Sequence, residues 1–152
     1  IMVSVLLFIC AIIFTICHLS YKQEWHYPKS VETFLSYILF FNMGLMGLLG
    51  AYAHVFMGPE TARSIGWAPG SPFQFEIGMA NLAFGVLGIL CYWFRDRFWD
   101  ASIIGWSVVF FGCFVGHVIN IPKITQLLIT SVLTYGFTIY CCQYLFARCF
   151  SD

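Results

Sequence analysis

Three residues that the core of a bilayer disfavours, His54, Glu76 and His117, fall on three different apolar segments of this chain. Two imidazoles and a carboxylate suit Zn or non-haem Fe, with positions left open for water or substrate. The two histidines alone would serve as axial ligands of a haem, although no segment carries a specific haem signature. Glu76 beside a histidine would also form a coupled pair that exchanges protons near neutral pH. Asn120, just beyond His117, and Glu60, ahead of Glu76, extend the set of candidate ligand groups. A plainer use stands beside these: a Glu at a helix start and a His at a helix end can simply pin helices together. Ionisable groups inside a membrane are costly, which makes all of them functional candidates.

The elements that position these residues follow from composition. Of 152 residues, 61% are hydrophobic and 9% charged, with 17 Phe, 8 Tyr and 5 Trp. A soluble domain carries roughly a quarter charged residues, so this chain cannot cover a water-facing surface. Its solvent is a lipid bilayer. The zero net charge gives no reason to expect nucleic acid as a partner.

A helix needs about 20 residues to cross the hydrocarbon. Five apolar stretches reach that length: Ile1 to Leu19, Phe34 to Phe56, Pro72 to Phe94, Asp100 to Ile121, and Ile124 to Ala147. The first is too long and too cleanly flanked by polar residues for a signal-peptide core and lacks a small-residue cleavage site, so it reads as a span. Nothing alternates with strand periodicity, and backbone polar groups must be satisfied within lipid. The expected fold is all-α, a polytopic transmembrane helix bundle of five spans (a four-helix core and one additional span), in one domain over residues 1–152. Lys22, Lys29, Arg95, Arg97 and Arg148 flank one face; Arg63 and Lys123 flank the other. The positive-inside rule then places the N-terminus outside and the C-terminus in the cytoplasm.

Local signals are densest between the second and third spans. Pro59 suits a first helical position and Gly66 a helix stop, which predicts a short interfacial helix with Trp67 at headgroup level. Ser71, Pro72 and Gln74 form a capping-box start for the third span and put Glu76 near its positive end. Small residues then mark packing stripes: Gly44, Gly47, Ala51 and His54 on the second span; Gly78, Asn81, Gly85 and Gly88 on the third; Ala101, Gly105, Gly112 and Gly116 on the fourth. Such stripes let helices approach closely in lipid. Asn42 and Asn81, both towards mid-depth, are expected to hydrogen-bond across antiparallel neighbours. The fifth span lines up Gln126, Thr130, Thr134 and Thr138, read as a face towards neighbouring helices.

Alternating helix directions bring the end of the second span, the start of the third and the end of the fourth to one membrane face. His54, Glu76, His117 and Asn120 therefore share that face, with Glu60 approaching from the interfacial helix. Helical phase weakens the convergence, because Glu76 points nearly opposite the Gly78–Gly85 stripe and His117 sits about 100° from the fourth span's stripe. His18 ends the first span on the opposite face and does not join them.

The run from Ser64 to Asn81, Ser-Ile-Gly-Trp-Ala-Pro-Gly-Ser-Pro-Phe-Gln-Phe-Glu-Ile-Gly-Met-Ala-Asn, resembles a family of small, uncharacterised bacterial integral membrane proteins. His54, Arg97-Phe98-Trp99 and Gly116-His117 extend the likeness, which covers about residues 34–120. The chain is also distantly similar to DoxX-like four-helix membrane proteins. The resemblance implies a bacterial inner-membrane protein and transfers no chemistry.

The seven cysteines lie within or beside spans, with no CxxC pair, and read as small buried hydrophobes. No phosphate-cradling glycine loop and no nucleophile elbow occurs, so nothing singles out an enzyme. Two functions stay open: a small-ligand or ion site at the outer end of the bundle, or a structural or accessory subunit docking in a homo-oligomer or a larger membrane complex.

Overall fold

The computed structural model describes residues 2–119, and all regular structure among them is helical. They divide into two compact units, Met2–Arg95 and a second beginning at Asp96. In the first unit, α1 spans Met2–Lys22. The second helix, α2, runs as one rod over Lys29–Phe56, followed by the short α3 at Gly58–Ile65 and by α4 at Phe73–Leu90. In the second unit, α5 covers Arg97–Ile119.

Three helices are long and apolar enough to cross a membrane: Val3–Lys22, Lys29–Phe56 and Phe73–Leu90. The sequence predicts five such spans; the fourth falls on α5, which is not one of these three among the described residues, and the fifth, with its Gln126–Thr138 face, lies outside them. The outward faces suit lipid. Val3, Leu6, Ile9, Ile13 and Ile16 are exposed along α1, and Phe75, Met79, Leu82 and Val86 along α4. Aromatic residues gather at both ends, with Tyr21, Trp25, Tyr27 and Trp93 at one and Tyr52, Phe56 and Trp67 at the other.

The central helix is α2, packed against α1 on one side and α4 on the other. Its Leu35, Ile38, Leu39 and Met43 are buried. From α1, Ala11, Thr15 and Leu19 face it at four-residue spacing, and Thr15 turns its hydroxyl back to the Ala11 carbonyl, 2.7 Å away. Rings stack along the seam, Phe14 lying 5.2 Å from Phe41 and Phe8 6.4 Å from Phe34, centroid to centroid.

The seam between α2 and α4 is built from the expected glycines, paired in antiparallel register. A Cβ placed on Gly47 would lie 2.7 Å from Gly85 Cα, one on Gly50 2.9 Å from Asn81 Oδ1, and one on Gly78 2.6 Å from Val55 Cγ2. Gly44 meets Gly88 backbone to backbone. Positions advancing along α2 meet positions receding along α4, as antiparallel packing requires. Near this end of the seam α2 widens into a π-helical stretch over Leu39–Leu45, and the Leu39 carbonyl turns towards Gly88, 2.8 Å from where its Cβ would be.

Two expectations need correcting. Asn42 and Asn81 are not partners: Asn42 donates from Nδ2 to the Ser4 carbonyl on α1, at 3.4 Å, and Asn81 donates back to its own helix at Ile77, at 2.9 Å. Asn42 lies in the π-helical stretch on the α1 side of α2, whereas Asn81 lies on the α4 seam. The second helix also starts at Lys29 rather than at Phe34, five residues earlier. Apolarity located the apolar part of the rod, but helical hydrogen bonding continues through the polar Lys29–Thr33 turn.

Candidate functional site

The end of the bundle where the sequence converges His54 and Glu76 is organised around Gln74. Ser71 stands one residue ahead of the N-cap Pro72, its Oγ accepting from the Phe73 N–H at 3.3 Å. Gln74 does not return to close the capping box. It is 6% exposed and its Oε1 lies 2.7 Å from His54 Nδ1. With that amide oxygen as acceptor, His54 donates from Nδ1. The bond joins the last turn of α2 to the first turn of α4, beside Gly78, where an added Cβ would lie 3.3 Å from the His54 Cβ.

Glu76 is exposed and stands about 200° around the helix from Gln74 at 100° per residue, on the side away from α2. Glu60 is exposed on α3 and pairs there with Arg63 at 3.3 Å, a surface ion pair of little energetic weight. The α3 helix is itself tied down by Thr61, whose hydroxyl donates to the Ala53 carbonyl at 2.9 Å, and it ends on Gly66 at φ +84°, as the sequence predicts. His117 is carried by α5, but its side chain and the whole of Asn120 lie outside the described residues. Among the described residues no group of three His, Cys, Asp or Glu side chains is placed to hold a metal ion. On α5, a Cβ at Gly112 or Gly116 would meet no described atom within 4 Å.

The polar cavity of the first unit lies at the other end, among the lysines and arginines. Its lining is His18 from α1, Lys29, Thr33, Ser36 and Tyr37 from α2, and Tyr92 and Arg95 from the chain leaving α4, around a volume of about 40 Å³. Lys29, Thr33, Ser36 and Tyr37 recur at helical spacing, so one stripe of α2 supplies four of the seven groups. Thr33 and Ser36 form the floor at 5% and 2% exposure, while Arg95 is exposed at the rim. His18 Nδ1 and the Tyr37 hydroxyl share a hydrogen bond of 3.0 Å, which ties α1 to α2 across the cavity wall.

The cavity exists because the glycine pairing stops. Continuing the α2–α4 register past Gly44 and Gly88 brings Phe40 and Tyr37 opposite Tyr92, with ring centroids 5.9 and 6.3 Å apart. Rings of that size hold apart segments that glycines let touch. The gap they leave is walled by hydroxyls and cations rather than by lipid-like side chains. One of these groups is unsatisfied: Ser36 Oγ is buried and has no hydrogen-bond partner among the described residues. Buried hydroxyls ordinarily find partners, and leaving one unmade costs about 1–3 kcal/mol.

The pattern of one protein family runs through residues 1–133, from α1 beyond the end of α5. The chain belongs to the family of unknown function DUF6790. The match takes in the first span as well as the segment around Trp67 and Glu76, and it includes every residue that lines the cavity. No curated protein and no solved structure matches the chain. In this DUF6790 chain the lysine and arginine positions carried a signal beyond topology. A Lys-xxx-Thr-xx-Ser-Tyr stripe leading into an apolar helix marks a polar face, and that face is where the cavity forms.

Proposed function

We propose that this DUF6790 member is an integral membrane protein that binds a small polar ligand at its Lys/Arg-rich end, between α1, α2 and the exit of α4. The observation that carries this reading is Ser36 Oγ, a buried hydroxyl without a partner among the described residues, on the floor of a cavity lined by six other polar side chains. A ligand oxygen there would satisfy the hydroxyl.

The reading also takes up the finer topology: five spans in a bacterial inner membrane, the N-terminus outside and the cavity opening towards the cytoplasm. The bias of Lys and Arg to that face supports it. Epitopes inserted between Gln23 and His26, and between Gly66 and Gly70, should then be reached from opposite sides of the membrane. Reaching both from one side would overturn the arrangement.

At the far end His54 and Gln74 act as a clamp between α2 and α4, the structural use of polar residues. Its geometry favours that role over a three-residue ligand site, because Glu76 faces away from the seam. A homo-oligomer in which Glu76 meets another copy belongs to the same structural reading.

Native mass spectrometry on protein released from membranes in mild detergent tests the binding function. A bound species retained by the natural sequence and by His54→Ala, but lost from Ser36→Val, is the expected result. A species lost from His54→Ala and kept by Ser36→Val would move the site to the other end, and no retained species would remove the binding function.

A further inference from the structure

The cavity has a chemical preference. We propose that it is a receptor for a phosphate group, presented either by the headgroup of an anionic phospholipid or by a free phosphate. This deepens the ligand-binding reading above and rests on it.

Charge points to an anion. Lys29 and Arg95 bring two basic side chains to the cavity, and none of the lining side chains is a carboxylate. The cavity opens beside Lys29, the first residue of α2, so the positive end of that helix dipole adds to the same field. Donor number points to a tetrahedral anion. The ammonium, the guanidinium and the hydroxyls of Thr33 and Ser36 outnumber what the two oxygens of a carboxylate accept, and four phosphate oxygens match them better.

Size and depth agree. About 40 Å³ holds roughly three water molecules, which is room for one compact group and not for a whole cofactor. The remainder of any larger ligand must leave through the rim at Arg95. The α2 rod is 28 residues long, about 40 Å at 1.5 Å per residue, against about 30 Å of hydrocarbon. The excess allows the Lys29 end, with its Tyr21, Trp25 and Trp93 fringe, to stand at headgroup level, where lipid phosphates lie.

The test uses the full chain and three probes. Inorganic phosphate is titrated calorimetrically into the detergent-solubilised protein, with acetate as the carboxylate control. Phosphatidylglycerol retention is read by native mass spectrometry from nanodiscs that also contain phosphatidylcholine. Saturable binding of inorganic phosphate, or selective retention of phosphatidylglycerol, is expected; the first result identifies a free anion and the second a headgroup. In either arm Lys29→Gln should weaken binding about tenfold, the scale of one lost charge-assisted bond. Ser36→Val should weaken it without any change of charge. Lys22→Gln, which removes a cation from the same end but not from the cavity, should leave binding intact. Binding of neither probe, or equal losses in Lys22→Gln and Lys29→Gln, would overturn the phosphate assignment. A phosphate-free species that is retained by the natural sequence and lost from Ser36→Val would overturn the assignment and leave the binding reading standing. Loss of every cavity-dependent ligand would sink both.

Discussion

Gly47 and Gly85 meet across the α2–α4 seam so closely that a Cβ on the first would fall 2.7 Å from both the Cα and the N of the second. The obstacle is backbone, which cannot turn aside. Gly47→Ala should therefore separate the helices and cost about 1–3 kcal/mol, the ordinary penalty of overpacking. Gly50→Ala is the control. Its Cβ would first meet the Asn81 side-chain amide, at 2.9 Å, which can turn aside at the cost of its bond to the Ile77 carbonyl. Thermal unfolding in detergent should rank Gly47→Ala well below Gly50→Ala, and equal midpoints would contradict the seam.

The His54–Gln74 bond is open to a double-mutant cycle. Interhelical hydrogen bonds in membranes average about 0.6 kcal/mol and reach about 1.7. This one, at 2.7 Å with Gln74 buried, is expected in the upper half of that range. Coupling between His54→Phe and Gln74→Leu should vanish for the pair His54→Phe and Glu76→Gln, because Glu76 is on the far side of α4.

Asn42 holds a different balance. Its Nδ2 makes a long bond of 3.4 Å to the Ser4 carbonyl, while its Oδ1 is buried with no partner among the described residues. Replacing it with Leu loses one weak bond and removes one stranded acceptor. Asn42→Leu should be neutral or stabilising in chemical denaturation, against the usual direction for a buried polar residue. A loss of more than about 1 kcal/mol would show that Oδ1 has a native partner.

Ser36→Ala separates stability from binding. No hydrogen bond of Ser36 Oγ to a described residue is lost on substitution, so the unfolding midpoint should hold or rise slightly. Ligand retention should fall. A drop in stability with binding unchanged would place the hydroxyl in the packing and not in the site.

Tyr37→Phe breaks the 3.0 Å contact with His18 and keeps the ring that packs against Phe14 and Tyr92. A modest destabilisation, about 0.5–1.5 kcal/mol, is expected from one lost hydrogen bond. The larger effect should be on the cavity, whose wall between α1 and α2 that bond joins, and is read as faster ligand release in the same native mass spectra.

The sequence by itself determined the solvent and the class of this protein. With 9% charged residues and long apolar runs, a helical membrane protein was the one architecture that satisfied every backbone group. It also determined the seam, since Gly44, Gly47, Gly78 and Gly85 lie on helical stripes with one use in lipid, and the turn chemistry from Pro59 to Ser71, because caps and left-handed glycines are local. The site was not legible in the same way. His54 and Glu76 stood out for being polar in apolar segments, yet what each does depends on which way its helix faces. Packing against α2 turned Gln74 inward and Glu76 outward. The cavity residues were scattered over 78 positions, from His18 to Arg95, and looked like ordinary helix-end polarity. Only the antiparallel register of α2 against α4, with large rings following small glycines, brought Tyr37 to Tyr92 and left a polar gap at that end. Long-range register is a property of the pair of helices, set by how their surfaces fit, and neither segment carries it alone.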